Sequence, residues 1–409
     1  MKRTVLVVAK APAPGRSKTR LVPPLTAEQA ARLQRALLLD TLATCRAEAP
    51  DTALLYANPD EAPALAALAG PEARLVLQAG RGLAEALEGG IARFAAEGPV
   101  AIVSSDIPGI PPGSLTRAFA ALGRDADVVL GPALDGGFWL IAMNAAHHAP
   151  FDDIPWSTPA VLAVTLHRCE QAGLRVRLLD PWRDVDTPVD LALLAGEAEG
   201  STGEHTARAL RELDPSLVRT GPRPPDLVTS ELLSGSPWRS VIADRLARPD
   251  GRETGYTYAA TPRAAFVVAV TGDDEIVMVR QYRHPVRDWT LEVPAGSLDD
   301  GETPLQAAQR ELFEEVGGRA TSWRHLSTFY SSSAHLSLRS DAFLATGVTL
   351  EAARPEEGEH LEVVRLPWPE ALARARSGDF SEGQTALAIL LAASARDGGS
   401  TSRPLLPGA

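Results

Sequence analysis

Short apolar runs alternate with amphipathic ones along the first half of the chain. Residues 3–9, RTVLVVA, have the β-branched character of a strand buried on both faces. Comparable runs at 52–57, 73–77, 99–104, 126–131 and 174–179 are separated by helical periodicity near 27–47, 81–96, 112–122, 158–172 and 187–197. This alternation predicts an α/β doubly wound sheet, in which ligands bind beyond the carboxyl ends of the strands. The loops at Lys10, Ser104 and Asp184 are expected there.

The pattern changes in the second half. EAEGSTGEHTARALRELDPSL reads as one more helix of the first domain, and RTGPRPPD as a Pro-rich connector that cannot join a core. The reading is a first domain over 1–220, a linker near 215–226 and a second domain over 226–398. Beyond Leu227, SPWRSVIADRLARPDG reads as an antiparallel strand pair, followed by strands AAFVVAV and EIVMVRQYR. LEVPAG, a helix, the strands FLATGV and HLEVVRLP, and a C-terminal helix ending in QTALAILLAA complete an α+β sandwich. No internal repeat appears, so the halves are different folds.

The helix of the second half is the best specified element. Thr303 serves as N-cap, Pro304 fits the first helical position, Gln306 completes a capping box, and Gly317 and Gly318 stop the helix. Leu305, Ala308, Leu312 and Val316 form its apolar face. Glu311, Glu314 and Glu315 share the other side, where like charges one turn apart cost an isolated helix roughly 0.2–0.5 kcal/mol per pair. With Arg310 beside them and Glu302 ahead, such a cluster points to a bound cation, and hard oxygen donors point to Mg²⁺ or Mn²⁺.

At 409 residues the chain is long for one core, and two domains are the natural division. A formal net charge of -12 argues against a nucleic-acid surface and for small-molecule partners held by local basic residues. Cys45 and Cys169 suggest neither a disulfide framework nor a zinc site, and no secretory leader or membrane-length apolar run is visible. A reduced, cytoplasmic protein without membrane partners is expected.

In the first half, Lys10, Arg16, Lys18 and Arg20 surround Gly15 directly after the first strand, enough positive charge beside backbone amides to hold a di- or triphosphate. The P-loop pattern is absent. Asp106 follows an apolar strand in VSSDIPGI, and Asp184 and Asp186 precede a helix in RDVDTPVD. Carboxylates from separate strand ends are suited to sharing a Mg²⁺ that neutralises a pyrophosphate leaving group. Asp135 lies in the Gly-rich GPALDGGFWL, a turn suited to close approach of a sugar or nucleobase.

AKAPAPGRSKTRL, SSDIPGI, GPALDGGFWL, PWST and DVDTP together resemble a family of GT-A-like transferases, labelled glycosyltransferases of arsenosugar biosynthesis and related to molybdenum-cofactor and phospholactate guanylyltransferases. The resemblance implies glycosyl or nucleotidyl transfer with a divalent metal. Lys18 and Arg20 would grip phosphates, while Asp106 and Asp186 would hold metal. In GLAEALEGG, Ala86 stands where the family pattern has Arg, which leaves open a nucleotide-binding regulatory role without turnover.

The second half resembles the Nudix box G-x5-E-x7-R-E-U-x-E-E-x-G-U, where U is apolar. Gly296, Glu302, Arg310, Glu311, Leu312, Glu314, Glu315 and Gly317 fall in place, and Gly318 departs from the final apolar position. RQYR and W-x-LEVPAG place the resemblance in the ADP-ribose pyrophosphatase branch. This implies hydrolysis of a nucleoside diphosphate linked to another group, such as a nucleoside diphosphate sugar. Glu311 and Glu315 would be the principal metal ligands, with Glu314 and the Ala295 carbonyl. Arg283 and Arg280 would bind substrate, and Glu359 would be the base or a further ligand. Glu315, Glu314, Glu359 and, in the first half, Asp106 are thus the expected catalytic carboxylates. Relatives specific for ADP-ribose carry Pro-Gly after the box, whereas this chain has Ser332 and Ser333. Such pyrophosphatases pair through their N-terminal strands, so a homodimer through the Nudix domain is expected.

Overall fold

The computed structural model describes residues 2–49, 51–71, 73–80, 82–196, 202–214, 217, 224–236, 239–353 and 361–397. They divide into two compact units, one ending at Thr257 and the other beginning at Tyr258. The first carries, in order, β1 (Thr4–Val8), α1 (Ala27–Glu48), β2 (Asp51–Tyr56), α2 (Ala62–Ala69), β3 (Arg74–Leu77), α3 (Leu83–Phe94), β4 (Val100–Ser104), α4 (Ser114–Ala121), β5 (Val128–Pro132), β6 (Phe138–Met143), α5 (Val161–Gln171), β7 (Val176–Leu178), α6 (Pro188–Ala195) and α7 (Glu204–Arg211).

Its seven strands form one sheet in the order β3-β2-β1-β4-β6-β5-β7. All pairs are parallel except those made by β6, which runs antiparallel to β4 and β5. The apolar run of β1 has a direct cause. Val5 and Val7 face one core with Leu38 and Leu54, while Leu6 faces another with Leu87, Ile91 and Phe94. The doubly wound α/β reading holds, and α2 and β6 are additions to it. FWLIAM follows a Gly-rich turn without polar alternation, because β6 too is covered on both sides, and so it carries no period-two signature.

The same unit ends in a three-stranded sheet, β10-β9-β8, made from β8 (Asp226–Ser236), β9 (Arg239–Ala247) and β10 (Glu253–Ala260), the last strand running past Thr257. The hairpin expected within 236–251 is formed instead by β9 with the preceding strand β8, Asp226 lying opposite Ala247.

The second unit contains β11 (Ala264–Thr271), β12 (Glu275–Arg283), β13 (Asp288–Glu292), β14 (Ala295–Ser297), α8 (Pro304–Val316), β15 (Gly318–Arg319), β16 (Ser322–Tyr330), β17 (Arg339–Leu350), β18 (Glu362–Pro367), α9 (Trp368–Ser377) and α10 (Gly383–Arg396). Its centre is β11, antiparallel to β12 and β14 and parallel to β17. Ala265, Val267 and Ala269 pack with Ala307, Ala308, Leu312 and Val316 of α8, while Phe266, Val268 and Val270 join Ala388, Ile389 and Ala392 of α10. An α+β sandwich results.

The capping box of α8 forms as read, Thr303 N–H donating to Gln306 Oε1 at 2.9 Å and Gln306 N–H to Thr303 Oγ1 at 3.4 Å. Gly317 ends the helix at φ 66°, and a Cβ there would stand 2.3 Å from the Glu351 carbonyl oxygen. Two expectations change. Leu305, in the first turn, is 38% exposed, and Ala307 takes the buried place. At Gly318, a Cβ would meet Leu312 Cγ at 2.8 Å, so Leu312 itself fills the space of the apolar residue that the motif carries.

Asp341 of β17 is 1% exposed and accepts hydrogen bonds from the Arg263 guanidinium, from Thr328 at 2.6 Å and from His325 at 3.1 Å. Burial alone would raise its pKa, but these donors outweigh burial and hold it at about 2. A carboxylate depressed on folding stabilises the protein above its unfolded pKa and loses that contribution as pH falls through the folded value. Urea unfolding between pH 4 and pH 2 should therefore show an acid-dependent loss in the native protein that Asp341→Asn lacks, on the order of 2 kcal/mol.

Candidate functional site

In the first unit, the loops leaving β1 and β4 and the segment ahead of α6 meet around a cavity of about 330 Å³. Lys10, Arg16, Lys18, Arg20, Asp106 and Asp186 all line it, at the carboxyl ends of β1 and β4, as the sheet topology requires. The Ala13–Ser17 turn is closed by Ala13 N–H donating to Ser17 Oγ at 2.9 Å, and Gly15 sits at φ 73°. Thr187 caps α6 and, with Asp190, orients the strip carrying Asp186.

The electrostatic centre is Lys18. Its ammonium nitrogen lies 2.6 Å from Asp106 Oδ2 and 2.6 Å from Asp186 Oδ1, with the side chain 5% exposed. Arg20 adds a contact to Asp186 Oδ2 at 3.2 Å. Burial would lower the pKa of Lys18, but the two aspartates more than reverse this. Asp186 is likewise held below its ordinary value, since Lys18 outweighs burial. Asp184 lacks that help. Burial first, then Asp135, Asp106 and Asp186, push it up to about 8. The two lining carboxylates, Asp106 and Asp186, direct one oxygen each at a single cation position now filled by an ammonium. This donor set fits a divalent cation.

In the second unit, the acidic face of α8 closes on β14. Glu315, 4% exposed, accepts a hydrogen bond from the Ala295 N–H at 3.0 Å. Gly296 allows the approach of Glu311, whose Oε1 would lie 2.0 Å from a Cβ at that position. Arg310 binds the rest together: 2.6 Å to Glu311, 3.1 Å to Glu314, 2.9 Å to Glu302 and 2.8 Å to the Ser297 carbonyl. Its pKa is raised by the Glu302 hydrogen bonds first, and that of Glu302 is lowered because Arg310 outweighs burial. Hard oxygens grouped about a glycine cradle also fit a divalent cation. Among the described residues no three carboxylate, imidazole or thiol groups converge on a single point.

Other candidates fall differently. Arg283 makes a two-bond pair with Glu292, at 2.9 and 2.6 Å, and is about half exposed. Arg280 lies over the Trp289 ring at 5.5 Å and 3.5 Å from Glu362. Asp135 is outside the cavity lining and accepts from the Gly137 N–H at 2.9 Å, within electrostatic reach of Asp184. Glu359 lies outside the described residues. Gln34, Ser17 and Ser105 line the first cavity and were not foreseen. Gln34 left a trace in the sequence, being a polar residue at a buried position of α1 between Leu33 and Leu37. Glu292, 5% exposed and the anchor of Arg283, was equally visible in LEVPAG.

Residues 260–383 match the NUDIX domain, and the ADP-ribose pyrophosphatase of Bacillus subtilis (strain 168) is 34% identical over 143 residues, 34% of this chain and 77% of that protein. The chain belongs to the Nudix family. The methanol dehydrogenase activator of Bacillus methanolicus is 30% identical over 163 residues, 39% of this chain and 88% of the relative. Residues 41–158 match a family described as "Uncharacterized protein conserved in bacteria (DUF2064)". A crystal structure from Desulfovibrio desulfuricans G20, proposed to be a nucleotide-diphospho-sugar transferase, superposes with a TM-score of 0.50 at 29% identity, over 53% of this chain and 97% of that one. The protein is therefore an enzyme with a Nudix hydrolase part and a nucleotide-sugar-transferase-like part, as the two resemblances implied. Among the described residues, no helix is long and apolar enough to cross a membrane.

Removing Lys18 leaves Asp106 and Asp186 facing each other without their shared counter-charge. Lys18→Met is expected to destabilise the first unit by about 2–4 kcal/mol in urea unfolding, whereas Arg16→Met should change it little.

Proposed function

We propose that the Nudix domain, over 226–398, hydrolyses the diphosphate of a nucleoside diphosphate sugar in a Mg²⁺- or Mn²⁺-dependent reaction. In the same reading the first domain, over 1–220, transfers a glycosyl or nucleotidyl group from a nucleotide substrate. The observation that carries the hydrolase is the packed carboxylate face of α8: Glu315 pinned by the Ala295 N–H, Glu311 admitted by Gly296, and Glu311 and Glu314 tied through Arg310 to Glu302 just ahead of the helix. The name of the Bacillus subtilis relative, ADP-ribose pyrophosphatase, supports the substrate class.

Glu311, Glu314, Glu315 and the Ala295 carbonyl hold the cation in this reading. When bound, the cation neutralises diphosphate charge and makes water a better nucleophile. Arg310 keeps the glutamates at a fixed spacing, so little reorganisation is needed when substrate enters. Arg283, braced by Glu292, presents its exposed edge to the substrate phosphates or terminal sugar, and Arg280, on the opposite face of β12 over the Trp289 ring, is assigned a substrate contact on that side. Glu359 is assigned the proton from the attacking water, or a further place on the cation. In the first domain, Lys10, Arg16, Lys18 and Arg20 take the diphosphate, Gly15 lets the loop turn, Asp106 and Asp186 hold the cation, and Asp135 meets the sugar or base.

Nucleoside monophosphate release from a panel of nucleoside diphosphate sugars, read by mass spectrometry on the full chain with Mg²⁺, tests the hydrolase. Glu315→Gln should lower it by about 10²–10⁴-fold, and full activity in that variant would sink the assignment. A second reading, a regulatory first domain that binds nucleotide without turning it over, is favoured by Ala86, which is 2% exposed and presents no basic side chain. With Glu315→Gln silencing hydrolysis, transfer lost on Asp106→Ala supports the transferase, whereas nucleotide binding without transfer supports the regulatory module.

A further inference from the structure

We propose that Lys18 is an exchangeable counter-ion, which occupies the divalent-cation position of the first domain and becomes a phosphate-binding group when the cation arrives. The inference rests on the reading that Asp106 and Asp186 hold that cation. Both oxygens that would hold a cation are already engaged at 2.6 Å by one ammonium, so the lysine and a metal ion compete for the same place.

Two observations point to exchange rather than to a permanent ion pair. First, Lys18 holds a left-handed backbone conformation, φ 47° and ψ 42°, which disfavours a residue with a side chain and needs surrounding contacts to maintain it. Second, the cavity beside the ammonium is lined by Lys10, Arg16, Ser17, Thr19 and Arg20, a set that would take an anion but offers no carboxylate other than Asp106 and Asp186. A lysine released from the aspartates therefore has one good partner within reach, a phosphate entering that cavity. The ammonium keeps its proton throughout, exchanging two carboxylates for phosphate oxygens.

Cation and phosphate binding must then reinforce each other. A cation binding alone displaces Lys18 into a cavity without an anion, and a phosphate binding alone must draw Lys18 from two aspartates. Bound together, each satisfies what the other frees, and by linkage each tightens the other by the same factor.

The test is Mn²⁺ binding, followed by electron paramagnetic resonance and by thermal shift, in the full chain carrying Glu311→Gln and Glu315→Gln so that the hydrolase site is silent. Adding Lys18→Gln, or Lys18→Met, should tighten Mn²⁺ by about tenfold or more and give a larger Mn²⁺-dependent rise in Tm than in the parent. Inorganic phosphate should tighten Mn²⁺ in the parent and leave the Lys18 variants nearly unchanged. Asp106→Asn should abolish binding in either background. If Mn²⁺ binds in an Asp106-dependent manner but no more tightly without Lys18, the exchange is wrong and the cation site stands. If no Asp106-dependent binding appears in any variant, with or without phosphate, the cation site itself fails and the exchange with it.

Discussion

The constraint on which both sites depend is that carboxylates packed against one another need a cation among them. Each half of the chain meets it chiefly with one basic side chain, to which Arg20 adds a contact in the first half. Arg310 spans Glu302, Glu311 and Glu314 with a planar fork that makes several directed bonds at once, whereas Lys18 places a compact point charge between Asp106 and Asp186. The chemistry of the two cations suits their places. A guanidinium at the edge of a cluster organises it, and an ammonium at its centre stands where a small ion would.

The scaffolds bring the carboxylates together in opposite ways. On α8 three glutamates come from one helix, so their spacing is set locally and the sheet only has to approach them. That approach is the work of β14, whose short pairing with β11 sets the Ala295 N–H against Glu315 and Gly296 against Glu311. In the first half Asp106 and Asp186 are 80 positions apart in the sequence, and only the parallel sheet order brings their loops to one end. The first arrangement is robust to changes elsewhere in the fold, and the second is a product of it.

Neutral packing does as much as charge. β1 and β11 are buried on both faces, each between two cores, so that neither strand has freedom to shift register without moving its whole set of side chains. The loop carrying Lys18 leaves β1, and β14, beside the α8 glutamates, pairs with β11. Rigidity in these strands is what gives the neighbouring charged groups their fixed separations.

The sequence by itself determined the Nudix helix almost completely, because caps, apolar face, motif spacing and the terminal glycine are all encoded within one short stretch. It also determined the α/β character of the first half, through apolar runs too continuous for one-sided strands. Local pattern could not reach β6, whose direction depends on its neighbours, nor the Gly318 position, where Leu312 fills the space from the helix. Arg283 read as a residue open to substrate, and only the folded hairpin of β12 and β13 joins it to Glu292. The tertiary structure alone decided that Lys18 pairs with Asp106 and Asp186, since a contact made across 88 and 168 positions leaves no periodic trace in the chain.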